Sequence, residues 1–161
     1  MNLRKLFDLQ KELDIRILSE HNLNDKTIFT QKALALQVEI GELANETRCF
    51  KYWSTKGPSE KHIILEEFVD CLHFILSIGL DKNYDDIEIK SSDYLIDITE
   101  QFLALFIDVN DFLICTSKDN YITLFEDFLT LGNTLGFTNE EIMDGYLRKN
   151  SINHERQATG Y

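Results

Sequence analysis

The stretch Ile63-Ile64-Leu65-Glu66-Glu67-Phe68-Val69-Asp70-Cys71-Leu72-His73-Phe74-Ile75-Leu76-Ser77-Ile78-Gly79-Leu80 sets the fold class. Its apolar positions Ile63, Leu65, Phe68, Leu72, Ile75 and Leu76 recur at helical spacings, so they turn inward from a single helix. That helix is expected from about Ser59, which stands as its cap after Gly57-Pro58, to Leu80. Its longest apolar run, Leu72 to Leu80, is far too short to span a bilayer.

The same periodicity continues on both sides. Upstream, Leu3, Leu6, Phe7, Leu13 and Ile17 mark one helical face. A longer helix is expected from about Thr27 to Cys49, capped by Asn24 or Asp25, with Phe29, Ala33, Leu36, Ile40 and Leu43 inward. Lys51 to Pro58 is a break. Downstream, Asp81 to Ser92 is polar and acidic, and Ile87-Glu88-Ile89 is too brief an alternation for a strand. Two further helices are expected over about Asp93–Thr116 and Asn120–Leu135, the second stopped by Gly136. Thr138-Asn139-Glu140-Glu141 has the form of a capping box and starts a last helix near Asn139. With no repeat, low-complexity tract or linker, residues 1–161 read as one all-α domain, a helical bundle of about six helices.

Composition excludes several function classes. Of 161 residues, 43% are hydrophobic, enough to bury a core rather than stay disordered. Sixteen basic against 28 acidic residues leave a net charge of −12, so there is little basic surface to neutralise a nucleic-acid backbone. Cys49, Cys71 and Cys115 are too few and too scattered for a disulfide framework or a zinc site. Polar Asp8, Gln10, Lys11 and Glu12 follow the first residues at once, which predicts no signal peptide, no membrane partner and a cytoplasmic location.

Carboxylates carry the first chemical signal. Glu39, Glu42 and Glu46 share one face of the second helix, beside Val38, Ile40, Leu43 and Ala44. Glu67 and Asp70 repeat the i, i+3 spacing inside the apolar run of the third. A solvated acidic face could show one such pair. Two pairs, each set among large apolar residues, instead predict carboxylates converging from adjacent antiparallel helices, where their repulsion calls for a cation. Hard oxygen donors suit Mg²⁺ or Mn²⁺. Asp70 and His73 approach the Glu-x-x-His element of di-iron bundles, but His21, His62 and His154 sit at the wrong offsets to complete that set.

The second signal is basic. From Tyr146 to Tyr161 the chain holds Arg148, Lys149 and Arg156 against one Glu155. Lys149, Asn153 and Arg156 fall on one helical face, which can hold the oxygens of a polyphosphate opposite a metal.

Taken in order, Leu9-Gln10-x3-Asp14, Glu39-x2-Glu42, Lys51-Tyr52-Trp53, Glu67-x2-Asp70-x2-His73-Phe74 and Lys149-Asn150-x2-Asn153-x2-Arg156-Gln157-x2-Gly160-Tyr161 resemble the dimeric all-α dUTP pyrophosphatases, within the wider MazG-like group. The resemblance spans nearly the whole chain, and its C-terminal motif is the most specific part. It implies magnesium-dependent hydrolysis of dUTP to dUMP and pyrophosphate, with dUDP as a further candidate substrate. It implies that Glu39, Glu42, Glu67 and Asp70 hold two or three Mg²⁺ ions, with Glu39 orienting or deprotonating the attacking water. Gln10 is then a uracil contact, Trp53 a wall of the base pocket, and His73 and Phe74 neighbours of sugar and base. Asn153 reaches the nucleoside, while Lys149, Arg156 and Tyr161 hold phosphate oxygens. The family's homodimer would bury the apolar surface of the fourth and fifth helices.

Two departures from the family pattern stand out. Asp14 occupies a position where an amide is expected near the base. It is expected to pair with Arg16 or Lys11, or to turn to solvent, and to take no part in base selection. The chain also stops at Tyr161 where longer members continue, so no lid from such a region is expected. Two alternatives remain at this level: a pyrophosphatase for another nucleotide such as dCTP, and a non-enzymatic acidic helical protein that binds a partner.

Overall fold

Helix α3 (Lys61–Asp81) runs through the middle of the bundle in the computed structural model, which describes residues 1–23, 25–90 and 96–159, without the side chains of 25–27. Its apolar residues are buried on more than one side: Ile64, Leu65, Phe68, Val69, Leu72, Ile75, Leu76 and Ile78 are all in the core. Ile63, expected inward, is instead exposed in the first turn, because Ile64 and Leu65 take the core side there. Around α3 stand α1 (Leu3–Glu20), α2 (Asp25–Thr47), α5 (Lys118–Thr134) and α6 (Asn139–Thr159), while α4 (Ile98–Ile114) packs on α2 and α5. The described residues form six helices and no strand, as the periodicity predicts.

Contacts along the helices give their directions. Lys32, early in α2, bonds Asp81 at the end of α3, whereas Glu46 near the end of α2 accepts a hydrogen bond from the Ser59 hydroxyl ahead of α3. The two are therefore antiparallel, as the carboxylate argument requires. Gln10 meets His73 and Asp14 meets Ser77, so α1 runs parallel to α3. Lys61 meets Glu141 and Asp70 meets Lys149, so α6 does too.

Several expected ends shift. Helix α2 stops at Thr47 because Arg48 adopts a left-handed backbone, φ 59°, with its guanidinium held by Ser54 Oγ and the Lys56 carbonyl. Ser59 does not cap α3. Glu60 takes that position, and Ser59 is spent on Glu46 through both its backbone N–H (2.9 Å) and its hydroxyl. Helix α4 begins at Ile98, where Asp97 accepts from the Thr99 N–H at 2.8 Å and supplies the cap, and the expected start at Asp93 lies outside the described residues. Helix α5 begins at Lys118 rather than Asn120, because the Ser117 hydroxyl accepts from the Asn120 N–H at 3.1 Å and supplies the cap. The Thr138–Glu141 capping box is present in both directions, at 2.8 and 3.1 Å. The expected cap at Asn24 lies outside the described residues, as does the Asp25 side chain.

Apolar surface is distributed differently from the expectation for the fourth and fifth helices. Helix α5 buries Tyr121, Leu124, Phe125, Phe128 and Leu131 against α3 and its neighbours. Exposed apolar residues sit on α4, where Leu103, Ile107 and Ile114 line up, and on neighbouring α2, where Leu34 and Val38 do. The three cysteines are free.

Close approach of α3 and α5 depends on Gly79. A methyl group there would meet the Tyr121 hydroxyl oxygen at 2.1 Å, and that hydroxyl donates to the Ile75 carbonyl at 2.9 Å in the buried interior. Gly79→Ala is therefore expected to lower stability by about 1–3 kcal/mol through overpacking. A lowered midpoint in thermal unfolding, followed by circular dichroism, checks it.

Candidate active site

The second and third helices bring their acids together. One carboxylate oxygen each from Glu39, Glu67 and Asp70 lies within 4.8 Å of the other two. Glu42 is exposed but near enough for its charge to act on both Glu39 and Glu67. Glu46, expected on the same face, is diverted to Ser59 and Asn45. Burial, reinforced by Asp70, Glu42 and Glu67, pushes the Glu39 carboxyl up to about 7. Burial likewise raises Glu67, with help from Asp70 and Glu42. Asp70 is raised by burial even though the Lys149 ammonium donates to it at 2.6 Å. Lys149 itself is disfavoured as a cation by burial, but Asp70 and Glu66 hold it above its ordinary range.

A cavity of about 570 Å³ opens beside this cluster between α1, α2, α3 and α6. That volume suits a nucleotide-sized ligand. Glu39 and Asp70 line it, with Lys149, Asn153 and Arg156 of α6 on the adjoining wall. The predicted basic face of α6 is thus turned to the acids, with Arg156 Nη1 donating to Asn153 Oδ1 at 3.5 Å.

Away from the acids the lining is neutral or self-paired. Gln10, His73 and Phe74 are there, as the sequence suggests. Gln10 and His73 are nearly sealed, at 3% and 6% exposure. His73 Nδ1 lies 2.8 Å from Gln10 Oε1, and its ring stacks on Tyr146 with centroids 4.2 Å apart. Burial, then the charge of Lys149, pushes the imidazole down to about 3, so it is neutral. Its Nε2 is buried without a partner among the described residues.

Asp14 corrects an expectation. It neither faces solvent nor pairs with Arg16 or Lys11. Arg16 is engaged by His154 at 3.2 Å and Lys11 is exposed, whereas Asp14 turns inward. There it accepts from Gln10 Nε2 at 2.7 Å and Ser77 Oγ at 2.6 Å, and pairs with Lys32 at 3.5 Å. Lys32 also bonds Asp81 at 2.7 Å.

Trp53 is not part of this cavity. It follows α2 on an exposed loop, its ring edge-on to Tyr52 and Phe50, because the left-handed Arg48 turns the chain away after Thr47. Tyr161 lies outside the described residues. Sequence reasoning missed Lys32, Ser77, Asp81 and Tyr146. The α3 pair carried a signal, since Ser77 and Asp81 continue the helical line of Glu67, Asp70 and His73.

An acid with a folded pKa above its unfolded value stabilises the fold most below the unfolded value and loses that contribution as pH rises through the folded one. For Glu39 this window runs from 4.5 to about 7. In EDTA the melting temperature is therefore expected to fall between pH 5 and pH 8. Glu39→Gln should flatten the fall and a divalent cation should oppose it. Calorimetry of both proteins across that range tests the assignment.

Comparison with protein-family models matches residues 2–161 to the dUTPase family. No curated protein matches the chain. The match begins before α1 and runs past the end of α6, so every helix that lines the cavity falls within it, and the chain belongs to the dUTPase family.

Proposed function

We propose that this dUTPase family member converts dUTP, and also dUDP, to dUMP in a magnesium-dependent hydrolysis, releasing pyrophosphate from the triphosphate, in the cavity between α1, α2, α3 and α6. The observation that carries the reading is the convergence of Glu39, Glu67 and Asp70 beside a nucleotide-sized cavity whose adjoining wall holds Lys149, Asn153 and Arg156.

The donor set fits a hard divalent cation. It is all oxygen, it comes from two helices, and its acids are raised by burial and mutual repulsion, a condition that a cation relieves. Glu39, Glu67 and Asp70, completed by Glu42, would hold Mg²⁺ or Mn²⁺. Bound there, the metal supplies compensation for the charge that develops on phosphate oxygens during hydrolysis.

The chain's own residues do the rest. Glu39, with its carboxyl near neutrality, is suited to take the proton of the attacking water at its carboxylate oxygen. Lys149 and Arg156 bind non-bridging phosphate oxygens, the guanidinium offering a planar pair of donors. Asn153 reaches the nucleoside from the same face of α6. Gln10, His73 and Phe74 hold the base and sugar in the neutral part of the cavity.

The reading includes a homodimer, with no nucleic-acid or membrane partner and a cytoplasmic setting. Leu103, Ile107 and Ile114 on α4, with Leu34 and Val38 on α2, form the apolar face that a second copy would cover. Among the described residues no helix is long and apolar enough to cross a membrane.

Pyrophosphate release from each deoxynucleoside triphosphate, with Mg²⁺ and with EDTA, tests the substrate and the metal. dUTP is expected to be preferred and EDTA to abolish turnover. Glu39→Gln should keep the fold and lower kcat on the order of 10²–10⁴-fold, and turnover at the wild-type rate would remove Glu39 from its role. For the dimer, Ile107→Asp is expected to give a monomer in light scattering, while an unchanged mass would place the interface elsewhere.

A further inference from the structure

The hydrogen bonds around Gln10 leave that amide only one polarity to offer a ligand. Asp14, salt-bridged to Lys32, is a carboxylate and only accepts, so the Gln10 atom 2.7 Å from it must be the amide nitrogen. The opposite flip would set two acceptors face to face. With the nitrogen so placed, Gln10 Oε1 turns to two donors, the Tyr146 hydroxyl at 2.8 Å and His73 Nδ1 at 2.8 Å. A carbonyl oxygen has two lone pairs, and both are taken. Gln10 can therefore give a ligand one remaining N–H and accept nothing.

The same chain of contacts sets the tautomer of His73. Nδ1 faces a carbonyl and must carry the proton, which leaves Nε2 of the neutral ring as an acceptor. That nitrogen is buried, unpartnered among the described residues, and belongs to a side chain that lines the cavity beside Gln10. A buried acceptor left unpaired is costly, and a ligand N–H removes that cost. One side of the cavity thus presents a donor from Gln10 and an acceptor from His73.

We infer that Asp14 is the positioning residue for base selection: by fixing the Gln10 flip and, through it, the His73 tautomer, it matches the cavity to a pyrimidine edge with a 4-carbonyl beside a ring N–H. Uracil has that edge. Cytosine has the reverse, a 4-amino donor beside a ring acceptor, and would face donor with donor. Asp14 itself touches no ligand in this scheme. It acts from α1 through Gln10, and Ser77 and Lys32 hold it in place from α3 and α2. The inference rests on the proposed nucleotide site and deepens it.

Two measurements test it. In ¹⁵N NMR of the wild-type protein, the His73 ring should show its proton on Nδ1 and none on Nε2. A proton on Nε2 would overturn the inference whatever the enzyme's activity. In Asp14→Asn, the new amide can donate as well as accept, so Gln10 is free to flip. The kcat/KM ratio of dUTP to dCTP should then fall by about tenfold or more, the discrimination lost with one fixed hydrogen bond. A variant that slows both nucleotides equally and keeps the ratio would show a structural role only and overturn the inference. Should wild-type protein with Mg²⁺ hydrolyse neither nucleotide, the proposed substrate fails, while the imidazole spectrum still decides the Gln10 orientation. If Asp14→Asn does not fold, Asp14→Glu, which restores the carboxylate, replaces it and should retain the uracil preference, and its loss would count against the inference.

Discussion

Helix α3 is wrapped by other helices on nearly every side, yet it carries one polar line: Glu67, Asp70, His73, Ser77 and Asp81, at helical spacings of three and four. Polar groups in such a position cost stability unless partnered, so each neighbouring helix must bring something to them. Helix α6 brings Lys149 to Asp70 and the Tyr146 ring to His73. Helix α1 brings Gln10 to His73 and Asp14 to Ser77. Helix α2 brings Lys32 to Asp81. The order in which α1, α2 and α6 pack around α3 is thus tied to this line as much as to the apolar core. The cavity is the gap that remains where the partners stop short of closing on one another.

The line is not uniform along its length. Near Glu67 and Asp70 the carboxylates outnumber the cations close to them, and burial raises the acids further. Around His73 and Ser77 the groups are neutral or paired, and donors meet acceptors with little left over. One helix therefore offers a charged end suited to metal and phosphate and a neutral end suited to a base. The distance between them is set by helical rise, and a rigid helix keeps that spacing better than loops would.

The all-α class, the number of helices and the convergence of Glu39, Glu67 and Asp70 were legible in the sequence, because each rests on local periodicity. So was the face shared by Lys149, Asn153 and Arg156. Positions whose role depends on a distant partner were not. Asp14 has basic neighbours at Lys11 and Arg16, and from sequence alone either looks like its counterion. Its actual partner, Lys32, lies on another helix, and His154 has taken Arg16. Trp53 lies off the cavity for a related reason. Its place depends on where α2 ends, and Arg48, a residue with no glycine-like freedom, ends it in a left-handed turn that its side-chain contacts with Ser54 and Lys56 support. Ser59 was read as a cap since it follows Gly57-Pro58, but its hydroxyl found Glu46 first.

The charge of the chain bears on how a polyanion could enter this cavity at all. With 28 acidic and 16 basic residues the field of the whole protein repels a triphosphate, although salt screens exposed charges beyond roughly 8–10 Å. What counts is the balance inside the site. Two of its cations are already committed: Lys32 to Asp81 and Asp14, Lys149 to Asp70 and Glu66. Each of those lysines sits between two carboxylates, so neither group carries a net positive charge to attract phosphate. On the proposed function, the missing positive charge has to come with the substrate. If Asp70 held a divalent cation it would no longer need Lys149, and the ammonium, held within reach of the cavity by α6, would be available to a phosphate oxygen. Metal and triphosphate would then favour each other's binding, since each would relieve a charge that the other leaves unpaired. The acidic composition that argues against a nucleic-acid partner is, at this one place, consistent with a site that accepts a nucleotide only in company with its metal.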